Sequence, residues 1–207
     1  EPKAEEPPKS IEIFRAFPQS KMAKDGESYR RQSTLRIPSN VPFVVDNLWE
    51  WLRPDSMPSR RHAIYASATP ELALENASAP LADGDYYVAC RVIVDPNEIR
   101  VAQLHMSDAR HHADVRMISR WISRHSQEFT EIPLAERQAL ALLFSPALRQ
   151  HELEELRQQS PLIQQLCAYV QEQSTFWPTA FTEPNGTSGE LFFELVGFTF
   201  YRLVPLS

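Results

Sequence analysis

The stretch that decides the fold is ELFFELVGFTFY, residues 190–201. It is almost entirely apolar and aromatic, and Gly197 divides two strand-like runs, Glu190 to Val196 and Phe198 to Val204. Aromatic and β-branched residues favour strands, and a glycine between two such runs is typical of a turn. The stretch therefore predicts a strand that turns at Gly197 and pairs with a second aromatic strand, with the carboxylate of Glu190 at the mouth of the first.

Further strand-like segments lie in the first half of the chain. Ile11 to Phe17 begins with alternating apolar and polar residues, and Arg61 to Ser67 and Ile99 to Leu104 have the same strand character. Tyr86 to Val94 is the run richest in β-branched and aromatic residues, so we predict a central strand there. The polar stretch from Gln19 to Gln32 is predicted to be a mobile surface loop.

Helix signals separate these strands. Asp46-Asn47 is predicted to cap a short helix, LWEWLR, that ends at Pro54. Thr69-Pro70-Glu71 and Ser160-Pro161 each place a hydroxyl at the cap and a proline in the first turn, which predicts two helix starts. From about residue 107 to 173 the apolar residues follow the helical period.

The order of strands, helices and strands predicts the architecture. We expect one α+β domain over residues 11–207, whose sheet is assembled from both ends of the chain around a helical insertion at about 107–173. The 207 residues suffice for one domain with a core and are too few for two large ones. Residues 1–10, EPKAEEPPKS, are polar and proline-rich and are predicted to be the disordered end of a linker.

Composition excludes several classes of function. The net charge is −6 and no Lys/Arg-rich stripe follows a helix, so we expect no nucleic-acid partner. No apolar run approaches the roughly 20 residues that span a bilayer, so we expect no membrane insertion. Cys90 and Cys167 stand in separate apolar segments, which predicts buried thiols in a reducing compartment. The chain begins at Glu1 without methionine, so we expect that an upstream segment, with any secretion signal, has been removed.

Histidines close in sequence raise the question of a metal. His111 and His112 are adjacent and would point apart on a helix, and neither cysteines nor an acidic cluster near His105 completes a tetrahedral set. We therefore predict no metal site.

Three segments carry residues suited to catalysis. The first is IFRAF, with Arg15 inside an apolar strand. A guanidinium there is costly unless it meets an anion, and its fork suits a phosphate. Arg15 could instead pair with a neighbouring carboxylate or extend from an edge strand.

The second segment is Tyr65-Ala66-Ser67-Ala68-Thr69, which runs directly into a capped helix. By itself it is equally consistent with a cap at Thr69 and a strand-end hydroxyl at Ser67. The third is the loop before Glu190, predicted to be flexible and to carry Trp177 and Phe181. A carboxylate beside such a loop suits catalysis next to a sugar ring, although Glu190 could also only protect a strand edge.

Taken in order, these segments resemble the ADP-ribosyltransferase superfamily in its arginine–serine–glutamate branch. That branch has an arginine on the first strand, an aromatic–Ser–Thr–Ser element on a middle strand, and an X-X-Glu motif before a strand–Gly–strand hairpin. The matching positions are Arg15, Tyr65, Ser67, Thr69 and Glu190. The resemblance spans roughly residues 11 to 204 and implies a split β-sandwich with an inserted helical block.

The resemblance also implies an activity, cleavage of the nicotinamide–ribose bond of NAD as co-substrate. It assigns catalytic roles to Glu190, Ser67 and Arg15, with Ser67 orienting Glu190. We expect the cofactor to contact Arg15, Tyr65, Ser67, Thr69, Arg61 and Phe181. Arg61 ranks above Arg36 and Arg60 as a phosphate contact, because it directly precedes the strand of Tyr65. His62 would suit the histidine–tyrosine–glutamate branch, but that branch has its histidine on the first strand.

Two departures concern the acceptor. Ala68 replaces the central threonine, and Ser188 stands where arginine-specific members carry glutamate, which argues against an arginine acceptor. Residues 41–74, VPFVVDNLWEWLRPDSMPSRRHAIYASATPELAL, resemble a bacterial effector-type family that modifies a hydroxyl side chain of ubiquitin. The resemblance implies a secreted, monomeric effector or toxin that acts in the host cytosol, with a threonine of ubiquitin as candidate acceptor. An NAD glycohydrolase and a catalytically inactive binding module remain the alternatives.

Overall fold

The computed structural model describes residues 11–31, 35–197 and 199–206, and these residues form an α+β structure with antiparallel sheets. The predicted linker end, residues 1–10, lies outside them. Their contacts form two compact units. Unit 1 contains the described residues of 1–33, 63–103 and 181–207, and unit 2 contains those of 34–62 and 104–180. The assignment of residues 11–207 to one domain stays a prediction.

Unit 1 contains the two sheets. Seven strands form them: β1 Phe14–Pro18, β2 Ser28–Arg30, β3 Ile64–Ala66, β4 Tyr87–Ile93, β5 Ile99–Gln103, β6 Leu191–Leu195 and β7 Tyr201–Pro205. One sheet has the order β1-β4-β7-β2 and the other the order β3-β6-β5, with all pairs antiparallel. The helix α2, Pro70–Glu75, packs on β1 and β4.

A single hydrophobic core draws on both sheets of unit 1. Cys90 and Val92 come from β4, and Val101 and Phe193 come from β5 and β6. The alternation of β4 is typical of a strand with one face on a core, since Arg91 between these two residues is exposed. The alternation of apolar and polar residues along β4 therefore identifies the face of this strand that packs in the core between the two sheets.

The polar stretch after β1 differs from its prediction. Ser28 to Arg30 form β2 and pair with β7, where a loop was expected. Ser28 is buried and Tyr29 is exposed, but three residues are too few for this alternation to be recognised in the sequence. Gln32 lies outside the described residues.

The hairpin predicted around Gly197 is wrong, because β6 pairs with β3 and β5 whereas β7 pairs with β4 and β2 in the other sheet. Phe198, expected to begin the second strand, also lies outside the described residues.

Unit 2 is helical. Its helices are α1 Phe43–Leu52, α3 Ala113–Arg124, α4 Ser126–Glu131, α5 Leu134–Leu143, α6 Gln150–Gln159 and α7 Pro161–Gln173. The cap predicted at Ser160 is confirmed, because its hydroxyl accepts the N–H of Ile163 at 3.3 Å. Thr69 of unit 1 likewise caps α2 by accepting the N–H of Leu72 at 3.2 Å.

The cap predicted at Asp46-Asn47 is wrong. The helix α1 begins one turn earlier, with Pro42 at the cap position, and Asp46 and Asn47 lie inside it and are buried. Both side chains bond Arg61, so distant polar partners rather than the helix terminus satisfy them. None of the helices in the described part of the chain has the length and apolar character needed to cross a bilayer.

Candidate active site

The register of unit 1 brings two of the predicted catalytic residues together. In the β3–β6 pair, Tyr65 lies opposite Phe192 and Ala66 lies opposite Leu191. The next pair in this register is Ser67 and Glu190. Glu190 directly precedes β6 and is 9% exposed, and Ser67 is buried as well. Ser67 is therefore at the register position from which a hydroxyl can reach the carboxylate of Glu190.

The first strand joins the other side of Ser67. Phe14 and Ser67 exchange two backbone hydrogen bonds, each of 2.8 Å. The hydroxyl oxygen of Ser67 accepts a hydrogen bond of 3.3 Å from Asn76 at the end of α2. One residue, Ser67, thus links the strand of Arg15 to the strand that follows Glu190.

Arg15 has a neutral partner. Its Nη1 donates to the hydroxyl of Tyr201, and its Cζ lies 5.8 Å from the centre of the Tyr201 ring. Alternation along β1 places the side chain on the face of Ile13, opposite to Phe14, so it does not share the face of Ser67. Among the described residues no carboxylate forms an ion pair with Arg15, which removes the carboxylate alternative weighed from the sequence.

A second arginine lies beside Tyr201. Arg30 is opposite Tyr201 in the β2–β7 pair, and its Cζ lies 4.4 Å from the centre of the Phe17 ring. Phe17 is two residues from Arg15 on β1 and therefore on the same face. The Nε of Arg30 is buried and makes no hydrogen bond within the described residues. Sequence reasoning missed Arg30 because it assigned this segment to a loop, and a strand of three residues gives too short an alternation to be recognised.

Two further predicted contacts lie near the loop that precedes Glu190. A methyl group on Gly186 would lie 3.9 Å from Cγ2 of Thr69, so the loop passes over the start of α2. Tyr65 is half-buried, with its ring 6.1 Å from that of Phe192. Phe181 is half-buried and exchanges backbone hydrogen bonds with Gln103. Sequence reasoning did not single out Gln103, since one glutamine at the end of an apolar strand has no distinctive pattern.

Trp177 is not part of an exposed loop, and that prediction is wrong. It lies in unit 2 and is 5% exposed. Its indole N–H donates to the carbonyl of Trp49 at 2.7 Å, and its ring meets that of Phe176 edge-on at 4.9 Å. The indole is held by the core of unit 2, because burial of an aromatic ring with a satisfied N–H is favourable.

Arg61 also belongs to unit 2, where each nitrogen of its guanidinium is bonded. Nε donates to Asp46 at 2.8 Å, Nη1 to the carbonyl of Leu148 at 2.6 Å and Nη2 to Asn47 at 2.6 Å. Burial raises the pKa of Asp46, and the neighbouring Arg61 and Arg60 partly offset that effect. Because its donors are engaged inside the fold, we leave Arg61 out of the proposed cofactor site.

The other two arginines considered as phosphate contacts, Arg60 and Arg36, also belong to unit 2. Arg60 is buried and donates to Asp46 at 3.3 Å and to Asn40 at 3.0 Å. Arg36 is exposed, and its backbone N–H donates to the carbonyl of Arg61 at 2.7 Å.

The histidines differ from the predicted arrangement. His111 ends a 3₁₀ turn, Ala109–His111, and His112 caps α3 by accepting the N–H of Asp114 at 3.2 Å. They are therefore not adjacent positions of one helix. Among the described residues no group of three or more His, Cys, Asp or Glu side chains is arranged to hold a metal ion.

Comparisons with known proteins give no relative: no protein-family model, no curated protein and no solved structure matches the chain.

Proposed function

We propose that the chain is a mono-ADP-ribosyltransferase, which cleaves NAD and transfers ADP-ribose to a protein side chain. The observation that carries the proposal is the convergence of three backbone segments at Ser67, which pairs with Phe14 and is next in register to Glu190. Arg15 is the neighbour of Phe14, and its side chain lies on the opposite face of β1. The three segments that resemble the arginine–serine–glutamate branch are at least about 170 Å apart in a fully extended chain and adjacent in the sheets. Two antiparallel sheets with a shared core support an ADP-ribosyltransferase-like split β-sandwich.

Glu190 is the proposed catalytic carboxylate. Cleavage of the bond between ribose C1′ and the nicotinamide nitrogen resembles glycoside hydrolysis, with positive charge developing on the ribose. The electron pair of the broken bond leaves on nicotinamide. Glu190 accepts a hydrogen bond from the ribose 2′-hydroxyl and stabilises the developing charge, and Ser67 orients its carboxylate. An acceptor hydroxyl then forms the new bond to C1′, and its proton passes to Glu190.

Arg15 and Arg30 are the proposed contacts of the NAD diphosphate. Within the described residues, Arg15 and Arg30 have a phenol and an aromatic ring as neighbours and form no ion pair with a carboxylate. The buried Nε of Arg30 gains from an acceptor, since an unpaired buried donor costs about 1–3 kcal/mol. These features fit a diphosphate. Tyr65 and Phe181 are the candidates for stacking on nicotinamide, and Thr69 lies beside the loop.

The proposed acceptor is a hydroxyl side chain of a host protein. Ser188, two residues before Glu190, is exposed and offers no charge to select an arginine. The resemblance of residues 41–74 to an effector-type family makes a threonine of ubiquitin the first acceptor to test. In this proposal the protein is a monomeric bacterial effector that acts in the host cytosol.

The test is incubation of purified protein with labelled NAD and a eukaryotic lysate, and separately with ubiquitin. A labelled protein band that is lost in Glu190→Gln supports transfer, and mass spectrometry of that band identifies the acceptor. Removing one well-placed catalytic group costs about 10²–10³-fold in rate.

Glu194→Gln is the matched control. Glu194 is on β6, four residues from Glu190 and on the same face, and its ion pair with Arg100 is long, at 3.8 Å. Free nicotinamide without a labelled band would indicate the glycohydrolase. If neither label nor nicotinamide appeared, the enzymatic proposal would be wrong and a binding module would remain.

A further inference from the structure

Gln103, the last residue of β5, holds both ends of the loop that leads to Glu190. On one side it lies opposite Leu191 in the β5–β6 pair. On the other side its N–H donates to the carbonyl of Phe181 at 2.9 Å, and its carbonyl accepts the N–H of Phe181 at 2.8 Å. Residues 182–190 therefore leave and rejoin the same residue, which makes them a closed loop.

The side chain of Gln103 fills the inside of this loop. Its Oε1 accepts the backbone N–H of Asn185 at 2.9 Å. Its Nε2 faces the carbonyl oxygens of Thr187, Asn185 and Gly189 at 3.1, 3.3 and 3.4 Å, and the hydroxyl of Thr187 at 3.3 Å. Two protons are shared among these acceptors, so the contact nearest in distance, to the carbonyl of Thr187, is the strongest.

The loop itself fixes the orientation of the Gln103 amide. A flipped amide would bring its oxygen against three carbonyl oxygens and its NH₂ against the N–H of Asn185. Gln103 is 0% exposed, so these loop groups, and not water, satisfy its amide.

The loop also holds a bond of its own, from the N–H of Thr187 to Oδ1 of Asn185 at 3.1 Å. The side chains from Asn185 to Ser188 are exposed, and Gly186 and Gly189 add backbone freedom that ordering must overcome. The residues after the loop are different, because β6 is held by β3 on one side and β5 on the other. Loss of the Gln103 amide should therefore release the loop while Glu190, next to Leu191, keeps its place.

We propose that Gln103 is a positioning residue, which holds residues 182–189 in one conformation and thereby sets the acceptor against Glu190. The acceptor half of this inference rests on the proposed function. The loop directly precedes Glu190 and exposes Asn185 to Ser188 to an acceptor protein, whereas the proposed diphosphate contacts Arg15 and Arg30 lie on β1 and β2. Transfer thus depends on the loop conformation more than NAD cleavage does.

Variants of Gln103, Asn185 and Val101 distinguish the loss of the Gln103 amide from a loosening of the core around β5. Gln103→Met keeps the length of the side chain and removes both its donor and its acceptor. Asn185→Pro removes the N–H that Oε1 accepts and leaves Gln103 intact, so it serves if Gln103→Met folds poorly. Because it also removes the Oδ1 that accepts the N–H of Thr187 at 3.1 Å, Asn185→Ala, which loses only that second bond, is measured beside it. Val101→Ala is the control, because Val101 is buried on the same strand and its truncation loosens the core without touching the loop.

Two measurements are made on each variant. Hydrogen exchange of the peptide that covers residues 181–190 should quicken about tenfold or more in Gln103→Met and Asn185→Pro, and not in Val101→Ala. The rate of transfer to acceptor should fall about tenfold or more in the first two, while nicotinamide release falls less than about threefold, since a displaced acceptor is costly to orient.

Unchanged exchange in both loop variants would overturn the inference whatever the activity. Faster exchange with an unchanged ratio of transfer to nicotinamide release would also overturn it, because the loop would then not position the acceptor. A wild-type protein without transfer would overturn the proposed function and the acceptor half with it. The exchange result would still decide whether Gln103 holds the loop.

Discussion

Each unit contains a pair of arginines, and the two pairs have different partners. In unit 2, Arg60 and Arg61 both donate to the buried carboxylate of Asp46. In unit 1, Arg15 bonds the phenol of Tyr201, and Arg30 lies over an aromatic ring. In the part of the chain that the structure describes, the first pair forms ion pairs with a carboxylate and the second pair forms none. A buried cation with an internal carboxylate is a structural element, whereas one among aromatic groups is suited to an external anion.

The largest expected effect comes from removing the carboxylate of unit 2. Asp46→Ala removes the carboxylate that the buried guanidinium groups of Arg60 and Arg61 both bond, which costs about 3–5 kcal/mol of unfolding free energy. Urea unfolding followed by tryptophan fluorescence, with Trp49 in this unit, measures the loss. If Asp46→Ala were as stable as the wild type, the ion pairs of Arg60 and Arg61 would not be structural, and this difference between the two arginine pairs would be disproved.

Arg15→Ala tests the other side of the comparison. We expect the efficiency of NAD cleavage to fall about 10²–10³-fold, because a charge-assisted contact to a phosphate is lost. The unfolding free energy should change little, since the partner left behind is a neutral hydroxyl. Steady-state kinetics with nicotinamide release as the readout gives the first quantity. A fall in stability comparable to that of Asp46→Ala would mark Arg15 as structural.

Arg30→Met should act in the same direction and more weakly. Methionine keeps the apolar contact with Phe17 and removes the charge, so KM for NAD should rise about tenfold with kcat nearly unchanged. Titration calorimetry with ADP-ribose checks the binding without turnover. Equal affinity in wild type and variant would exclude Arg30 from the anion site.

Tyr201→Phe isolates the hydroxyl that holds Arg15. One hydrogen bond to a charged group is worth about 1.5–3 kcal/mol where it is buried, and less where it is shared with solvent. Since Arg15 is half-buried, we expect a loss of only a few-fold in NAD affinity, with the ring packing on Phe193 unchanged. An effect as large as that of Arg15→Ala would mean that the hydroxyl itself contacts the ligand.

The smallest effect is a pH dependence of unit 2. Burial alone would raise the pKa of Asp114, but the adjacent His112 ring and the hydrogen bonds donated by Ser174 and Trp49 hold it below its usual value. A carboxyl with a lowered pKa in the folded state contributes stability above its unfolded pKa, about 3.9, and loses it as the pH falls through the folded value. The unfolding free energies of the wild type and Asp114→Asn should therefore become more similar as the pH is lowered from about 5. A constant difference would contradict this assignment.

The sequence by itself determined the features that depend on near neighbours. The caps at Thr69 and Ser160 follow from a hydroxyl and an N–H three residues apart. The alternation of β4 and the position of Glu190 at the mouth of β6 are local in the same way. Such signals are read correctly because both partners lie within one turn or one strand.

The tertiary structure decided which polar groups meet. Asp46 has the residue type of a cap and is instead the partner of an arginine 15 positions away. Arg15 and Arg61 look equally suited to a phosphate in the sequence, yet one bonds a hydroxyl 186 positions away and the other is enclosed by its own unit. A buried charge is stabilised by whatever the fold brings within a few ångströms, and that depends on strand register and helix packing rather than on sequence spacing.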